Sequence, residues 1–346
     1  MKFDAILDAD TPQQMHAIAS AAEGIGFDCL WVPETRHDPF LQLALAADYT
    51  SNIDLGTAIA VAFARSPMHM ANVAWDMARY SQGRFILGLG TQIKPHIERR
   101  FAMPWSQPAA RLREYILALR HIWDVWQNGG RLNFRGDFYK MTLMSPFFNP
   151  GPIDHHSIPI YIAGVNRRLC ELAGELCDGF HVHPFHTPQY LTECIRPWVA
   201  DGAEKAGRTI DQVEFSTTVF AVVGDSEAER DQNREAVRQQ ISFYASTPSY
   251  QPVLALHGWE TLSEPLGRLA IRQRWEEMPA LITDDMVETF AVQGTWSEIG
   301  QRIRERYSGH LDRATLYLPF IPGERDAQWR CALAGLRNNA HRTAQL

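Results

Sequence analysis

Short apolar runs alternate along the chain with longer segments of mixed polarity. The apolar runs have the length of buried parallel strands, and the segments between them have the period of surface helices. Eight such strands that alternate with helices indicate an α/β fold, and they favour a closed (β/α)8 TIM barrel over an open doubly wound sheet. The predicted strands are Phe3–Leu7, Cys29–Val32, Ile53–Ala60, Phe85–Gly90, Ile158–Ala163, Gly179–His183, Val213–Val223 and Ala314–Leu318.

Helical patterns fill most of the intervals between these strands. The first, Pro12–Ile25, has a proline in its first turn and Gly26 just beyond its end, which are typical start and stop signals. The other predicted helices are Pro67–Ser81, Ala109–Gln127, Arg167–Cys177, Pro188–Gly207, Ser226–Ala245 and Ser297–Ser308.

Two stretches exceed the bare repeat and are predicted insertions, one after strand four and one after helix seven. Residues 128–157 are rich in glycine, proline and aromatic residues, and Arg135-Gly136-Asp137 is a candidate hairpin turn. Residues 247–290 mix helical segments with Tyr250, Trp259 and Trp275. Loops of this length usually form lids or binding walls. Because no linker or fixed-period repeat divides the sequence, we expect one domain over residues 1–346.

Composition narrows the class of protein. The 346 residues are 45% hydrophobic and 21% charged, with a net charge of −7. No basic tract favours nucleic-acid binding, no apolar run approaches a membrane span, and the first residues do not resemble a signal peptide. The five cysteines are scattered without a CxxC pair, which is typical of reduced thiols in the cytoplasm. We therefore expect a cytoplasmic protein without a nucleic-acid or membrane partner.

The ends of strands two and four bear the first candidate chemistry. Gly90-Thr91 closes strand four, where a glycine admits a phosphate or flat ring and the threonine supplies a hydroxyl. A glycine-containing strand without a ligand is the alternative. Glu34 and His37 follow strand two, and His96 follows strand four. These three are the candidate catalytic residues, since imidazole and carboxylate groups suit proton transfer; solvent exposure is their alternative.

Three histidines follow or lie within strand six: His181, His183 and His186. His181 and His183 share one face of the strand because side chains alternate. We expect His181 in the core, and His183 either against a cofactor or as a hydrogen-bonded core residue. Together with His186 and Glu34 they could form a zinc site, which would suit a metal-dependent hydrolase. No HExxH motif supports that alternative, so no metal is predicted.

Six motifs resemble the bacterial luciferase-like monooxygenase superfamily, in its branch of deazaflavin-dependent oxidoreductases, which use coenzyme F420. The segment Gly83–Gly90, following the helix Pro67–Ser81, is the most specific of these matches. The resemblance covers nearly the whole chain, and the six motifs are Phe27–Thr35, Leu55–Ile59, Arg65–Met68, Ser81–Gly90, Ile160–Gly164 and Cys177–Phe180.

The resemblance implies a TIM barrel with the cofactor in its mouth against strand three. There it implies a non-proline cis peptide bond between Ala58 and Ile59, forming a bulge behind the cofactor ring. It also implies phosphate binding by the loops after strands four and five, with the N-terminus of the helix Arg167–Cys177 directed at the phosphate. The residues implied to bind the cofactor are Ala58, Ile59, Gly90, Thr91, Gln92, Ala163, Gly164, Val165 and Asn166, and His183 is a further candidate because it lies at the end of strand six.

The sequence departs from the family pattern at two places, which changes the activity and the phosphate binding that the resemblance implies. Glu34-Thr35 stands where some deazaflavin enzymes have Asp-His, and Ile93 stands at the position of an acidic glutamate. Sugar-phosphate dehydrogenase chemistry is therefore not expected. The altered pair Asn166-Arg167 in the phosphate loop leaves Arg167 as an additional cation for a phosphate or polyglutamate tail.

The resemblance implies an oxidoreductase that transfers a hydride between coenzyme F420 and a small organic substrate. An FMN-dependent monooxygenase acting on an apolar substrate is one alternative, and a non-catalytic cofactor-binding member is another. A homodimer is expected through the helices 39–50 and 67–81. The aromatic residues expected to wall the substrate are Phe63, Trp105, Phe134, Phe147, Phe148 and Trp259.

Overall fold

A computed structural model of the chain describes residues 1–7 and 9–337 and confirms the closed (β/α)8 barrel. Each neighbouring pair of barrel strands is parallel, and pairing of β3 with β4 closes the ring. The strands are β1 (Lys2–Ile6), β2 (Cys29–Val32), β3 (Asp54–Thr57, continued by Ala60–Val61), β4 (Phe85–Gly90), β5 (Ile160–Gly164), β6 (Gly179–Val182), β7 (Glu214–Val219) and β8 (Arg313–Leu316).

Helices surround the barrel, and several begin at the predicted caps. Thr11 closes a capping box with Gln14 at the start of the first helix, and Gly26 ends that helix in the left-handed conformation, φ 99°. The helices of six or more residues are Pro12–Ile25, Pro39–Tyr49, Pro67–Tyr80, Lys94–Arg99, Pro108–Asn128, Arg167–Leu176, Arg196–Lys205, Glu227–Ala245, Gln251–Leu256, Ser263–Ile271, Asp284–Phe290, Ile299–Tyr307 and Asp326–Arg337.

The predicted seventh strand is too long. The barrel strand ends at Val219, and Ala221–Val223 pairs instead with Val292–Gly294 outside the barrel. The apolar run Val219–Val223 spans the break between the two strands, so hydrophobicity does not reveal the change of partner. A second difference concerns Pro188–Gly207, where a π-helical stretch, Leu191–Ile195, interrupts the predicted helix.

The first insertion contains the predicted hairpin. Phe134–Arg135 pairs antiparallel with Lys140–Met141. The Glu114 carboxylate, on the helix Pro108–Asn128, anchors the turn by accepting hydrogen bonds from the backbone N–H groups of Asp137, Phe138 and Tyr139. The insertion therefore packs on the outside of a barrel helix.

Strand β3 bulges next to the barrel mouth. Gly56 pairs with Ile86 and Ala60 pairs with Leu89, so four steps along β3 lie opposite three along β4. The Thr57 hydroxyl bridges the gap, since it donates to the Gly88 carbonyl at 2.6 Å and accepts from the Gly88 N–H at 2.9 Å. The peptide bond between Ala58 and Ile59 within the bulge is cis, as predicted.

A buried ionic cluster closes the other end of the barrel. Arg313, fully buried, makes two hydrogen bonds to the buried Asp4 carboxylate, at 2.8 and 3.1 Å. Trp31 donates its indole N–H to the same carboxylate at 2.8 Å. Asp54 and Glu214 lie 3.6 and 3.5 Å from the guanidinium. This cluster ties β1, β2, β3, β7 and β8 together beneath the cavity.

Candidate active site

A cavity of about 620 Å³ opens at the carboxyl ends of the barrel strands, where (β/α)8 enzymes have their active sites. Side chains and backbone from most of the strands contribute to its wall. All ten residues predicted to bind the cofactor line it: Ala58, Ile59, Gly90, Thr91, Gln92, Ala163, Gly164, Val165, Asn166 and His183. The sequence thus identified ten residues that line one cavity, but it did not identify the other residues of the lining.

The bulge forms one side of the cavity, and its position depends on a close contact. The Ile59 side chain packs over Gly90, where an added Cβ would lie 2.6 Å from two of its carbon atoms. Only glycine at position 90 leaves room for this packing. Ala58 and Ile59 therefore present a rigid apolar ledge toward the cavity.

Glu34 supports the bulge from outside the cavity lining. Its carboxylate, 7% exposed, accepts from the Val61 N–H and from Arg65, each at 2.7 Å. Its backbone N–H donates to the Ile59 carbonyl at 3.3 Å. In this position Glu34 fixes the strand at Ile59 and Val61, just after the cis peptide bond, which is a positioning contact. Its catalytic role stays a prediction.

The other two candidate catalytic residues also lie outside the lining. His37 is exposed, with its Nε2 atom 3.0 Å from Asp10 Oδ1. His96 lies on the exposed surface of the short helix Lys94–Arg99. The structure therefore does not bring Glu34, His37 and His96 to one reaction centre, and the roles of the two histidines stay predictions.

The helix Arg167–Leu176 begins at the cavity. The Asn166 side chain caps it by accepting the Leu169 N–H at 3.1 Å, which leaves the earlier first-turn N–H groups without partners inside the helix. Such an N-terminus attracts anions. Arg167, which was expected to add a cation here, instead pairs with Glu171 and Asp201 at 3.0 and 2.9 Å.

The loop after β4 lines the cavity beside this helix, because β4 and β5 are neighbouring strands. Gln92 adopts a left-handed conformation, φ 57°, which turns the chain out of the strand. The Thr91 hydroxyl lies at the cavity wall and donates to the Gln92 carbonyl at 3.1 Å; rotation of the hydroxyl would redirect this hydrogen to a phosphate oxygen. Two polar backbone segments therefore meet at one end of an otherwise mostly apolar cavity.

His181 forms part of the cavity floor. Its ring packs edge-on against Trp31 at 4.7 Å, and its buried Nε2 atom has no hydrogen-bond partner among the described residues. Burial, and then the nearby Arg313 charge, lower its pKa to about 3. His181 is thus a neutral core histidine, as expected, and its Nε2 atom is buried next to Gly88.

His183 lies at the cavity wall and belongs to an aromatic cluster. Its Nδ1 accepts the Phe185 N–H at 3.1 Å, and its Nε2 lies 2.9 Å from the Tyr250 hydroxyl. The Tyr250 ring stacks on the imidazole at 4.4 Å, and Tyr244 meets it edge-on at 4.7 Å. Burial lowers the pKa of His183 to about 3, with a smaller contribution from His186.

Tyr250 is a lining residue that sequence reasoning did not single out as a site residue. It comes from the second insertion, and Ser249 beside it also lines the cavity. The prediction that this insertion forms a binding wall is therefore confirmed for these two positions. The sequence shows only a tyrosine in a long insertion. Because many exposed tyrosines occur in such insertions, this pattern does not identify Tyr250 as a site residue.

The predicted aromatic wall is mostly wrong. Of the six residues, only Trp105 lines the cavity, and Phe63 supports it from behind with ring centroids 5.8 Å apart. Phe147 and Phe148 are 88% and 69% exposed on the outer insertion. Phe134 belongs to the outer hairpin, and Trp259 packs against His257 and Phe290 away from the lining. Chain order does not reveal that the first insertion packs outside the barrel.

The cavity is almost free of charge. Among the described residues that line it, none is a carboxylate, and the only ammonium or guanidinium group belongs to Lys94 at the rim, which is 62% exposed. Within residues 1–7 and 9–337, no three histidine, cysteine or acidic side chains are grouped to hold a metal ion. Over the same residues, no helix is both long and apolar enough to cross a bilayer.

Acid should destabilise the protein in a pH range set by its buried histidines. Burial lowers the pKa of His181 and His183 to about 3 and that of His186 to about 4. An unfolded histidine titrates near pH 6.5, so below that pH the unfolded chain binds protons that the folded chain excludes. The free energy of unfolding should fall by up to about 1.4 kcal/mol per pH unit for each of them.

Urea denaturation at pH 7.5, 6.5 and 5.5 measures this effect above the range of carboxylate titration. The midpoint should fall slightly from pH 7.5 to 6.5 and more steeply from pH 6.5 to 5.5. A His37→Gln variant, which alters an exposed ring, should keep the same pH dependence. A midpoint that does not change down to pH 5.5 would contradict the assignment.

The cavity suits a flat ring attached to an anionic chain. The ledge of Ala58 and Ile59 and the apolar floor can hold the ring. The amides of Gly164–Asn166 and the Thr91 hydroxyl can hold a phosphate. These groups lie on one continuous wall.

Comparison with known proteins agrees with this arrangement. A family model described as luciferase-like monooxygenase matches residues 2–313. An uncharacterised protein of Mycobacterium tuberculosis is 46% identical over 89% of this chain and 91% of its own length. The 5,10-methylenetetrahydromethanopterin reductase of Archaeoglobus fulgidus is 27% identical, over 88% and 89%.

A solved structure has the same fold. The coenzyme F420-dependent tetrahydromethanopterin reductase of Methanopyrus kandleri superposes with a TM-score of 0.77 at 21% identity, covering 96% of this chain and 97% of that one. Since the family model spans most of the sequence, the chain belongs to the luciferase-like monooxygenase family.

Proposed function

We propose that this protein is an oxidoreductase that transfers a hydride between a deazaflavin coenzyme of the F420 type and a small organic substrate. The main support is that one cavity contains both the Ala58–Ile59 ledge and the anion-binding end at Gly164–Asn166. When bound, such a coenzyme supplies a hydride acceptor or donor at its ring.

Different residues of the cavity would then bind the ring and the phosphate of the coenzyme. The ledge and floor orient the ring, while Thr91, Gln92 and the first turn of the helix Arg167–Leu176 hold the phosphate. The apolar lining excludes water from the ring face, which favours hydride transfer over side reactions. Trp105 and Tyr250 line the same cavity and would contact a substrate bound beside the ring.

Titration of the purified protein with oxidised F420, and separately with FMN, tests the proposal by absorbance and fluorescence. We expect saturable F420 binding and weak or no FMN binding. Thr91→Val should weaken F420 binding about tenfold or more, because it removes a hydroxyl that can bond a charged phosphate. Thr192→Val, which changes an exposed threonine far from the lining, is the matched control and should bind as the wild type does. Binding of neither cofactor would refute the proposal.

FMN is the second candidate cofactor, with monooxygenation of an apolar substrate as the activity. The nearly uncharged lining is compatible with both cofactors. Saturable binding of FMN alone would favour this alternative. Binding of F420 without turnover across reductants and substrates would favour a non-catalytic cofactor-binding member of the family.

We also propose a homodimer. On the helix Pro39–Tyr49, Leu41, Leu45 and Tyr49 lie at successive i, i+4 positions and are exposed, and Tyr80 is exposed at the end of the helix Pro67–Tyr80. An apolar stripe of this kind favours protein contact. Sedimentation velocity should give twice the chain mass, and a monomer at micromolar concentration would contradict the proposal.

A cytoplasmic location is proposed from the cysteines. All five lie within the described residues and are free thiols, with Cys29, Cys170 and Cys177 buried. Reduced thiols are the usual state in that compartment. Fractionation of the native cells would test the location.

A further inference from the structure

We infer that Tyr250 is the proton donor of this site and that the substrate it serves is a neutral aldehyde or ketone, which is reduced to an alcohol. The inference rests on the proposed function, because the carbonyl group that Tyr250 protonates must also accept the hydride. Tyr250 belongs to the second insertion and lies outside the barrel strands.

The hydrogen bonds of His183 determine what Tyr250 can do. The Phe185 N–H donates to His183 Nδ1, so this nitrogen carries no hydrogen. A neutral imidazole must then hold its hydrogen on Nε2, which lies 2.9 Å from the Tyr250 hydroxyl oxygen. His183 therefore donates to Tyr250. The Tyr250 O–H hydrogen is left for another acceptor, and this hydroxyl belongs to a residue that lines the cavity.

The surroundings keep both groups in these states. Burial holds the His183 ring neutral, with its pKa near 3, and raises the pKa of Tyr250 to about 12. The rings stack at 4.4 Å, and Tyr244 and Phe185 pack against the Tyr250 ring at 5.8 and 5.6 Å. Tyr250 is thus held in place as a protonated phenol, and an alkoxide formed in the cavity is a stronger base than the phenolate that would remain.

The lining contains few competing acids. Among the described lining residues, none is a carboxylate, His181 is neutral, and Lys94 lies at the exposed rim. Ser216, Thr217 and Thr218 offer only hydroxyls of much weaker acidity. A cationic substrate such as an iminium would find no counter-charge here. A neutral carbonyl group needs none, and it requires the single donor that Tyr250 provides.

The step balances without a further reactant. The carbonyl carbon accepts a hydride from the reduced deazaflavin, and the C=O π electron pair moves onto oxygen. That oxygen takes the proton of the Tyr250 hydroxyl, which completes the alcohol. The remaining phenolate oxygen keeps the hydrogen bond from His183 Nε2 and is reprotonated from water. In the reverse direction the phenolate accepts the alcohol proton as hydride leaves.

Tyr250→Phe is the test variant, and Tyr244→Phe is its matched control. Both replacements keep an aromatic ring against His183 and remove one hydroxyl. The Tyr244 hydroxyl bonds Tyr317 at 3.0 Å, and Tyr244 does not line the cavity. Reduction of acetone, cyclohexanone and benzaldehyde by reduced F420 is measured in H₂O and D₂O, together with the F420 dissociation constant.

We expect Tyr250→Phe to lower kcat by about 10²–10³-fold, with F420 affinity within about twofold, and to lose the solvent isotope effect of the wild type. Tyr244→Phe should stay within about threefold in kcat and keep the isotope effect. A Tyr250→Phe variant with wild-type kcat and isotope effect would overturn the assignment. A wild type that binds F420 but reduces none of the three carbonyls would overturn the substrate class.

A second measurement uses the protein without cofactor or substrate. Nitrogen-15 NMR of histidine-labelled protein, with the His183 signal assigned by its loss in His183→Gln, reports which ring nitrogen carries hydrogen. The inference requires the neutral Nε2–H form at pH 6, and an Nδ1–H or charged ring would overturn it. If the wild type fails to bind F420, the proposed function fails, whereas this measurement still decides the state of the His183–Tyr250 pair.

Discussion

Replacing Arg313 with methionine should lower the free energy of unfolding by about 3–5 kcal/mol, the usual cost of removing one partner of a buried ion pair. Arg313 and Asp4 are both fully buried and share two hydrogen bonds. Asp4 would keep only the Trp31 indole donor. Burial already raises the pKa of Asp4, with Arg313 opposing that effect. Without Arg313 the carboxyl must therefore be buried as an unpaired charge or take up a proton.

Urea denaturation followed by circular dichroism measures this effect, and a double variant separates its causes. If the penalty comes from the orphaned carboxylate, Asp4→Asn combined with Arg313→Met should be more stable than Arg313→Met alone. The double variant removes both charges while keeping similar volumes. An Arg313→Met variant within 1 kcal/mol of the wild type would show that the Asp4 carboxylate does not need this guanidinium and would contradict the role given to the cluster.

Gly88→Ala should lower the free energy of unfolding at least as much as Arg313→Met does. An added Cβ would lie 1.8 Å from the Thr57 carbonyl oxygen, and that atom is backbone. The added Cβ would also lie 2.9 Å from His181 Nε2 on the cavity floor. Strand β3 and its bulge would have to move away from β4, which breaks the two Thr57–Gly88 hydrogen bonds. We expect a loss of more than about 3 kcal/mol, in the range of severe overpacking, together with loss of cofactor binding.

Gly24 provides the matched control for this prediction. It lies in the exposed part of the helix Pro12–Ile25, where an added Cβ meets nothing within 4 Å and the backbone is helical. Gly24→Ala should therefore stabilise the protein by about 0.5–1 kcal/mol through helix propensity. Thermal and urea unfolding of both variants would make the comparison. A Gly88→Ala protein with wild-type stability and cofactor affinity would contradict the close packing at the bulge.

The residues around the bulge show why a position near the active site is weak evidence for catalysis. Glu34 follows strand β2 as predicted, yet its carboxylate points to Val61 and Arg65. Arg65 also binds Asp38 at 2.7 Å, so the Glu34 side chain is one member of an ionic chain behind the ledge. The ledge position depends on these contacts. Residues of this kind affect catalysis through geometry even when they do not touch the substrate.

The sequence by itself determined the repeat, the barrel class, most element boundaries and the residues implied to bind the cofactor. Hydrophobic periodicity and caps are local properties, so Pro12–Ile25, Cys29–Val32 and Phe85–Gly90 were predicted at their observed bounds. Nine of the ten cofactor positions came from matching motifs at the ends of three strands, and His183 follows a fourth; a parallel barrel brings all such ends to one mouth.

The tertiary structure alone decided what faces that mouth. It placed the first insertion outside the barrel and folded Tyr250 of the second onto His183. It also turned Glu34 toward Arg65 and buried Arg313 with Asp4, a residue 309 positions away in the sequence. Side-chain direction and contacts between distant segments depend on packing in three dimensions. The order of residues along the chain does not encode them in any local pattern.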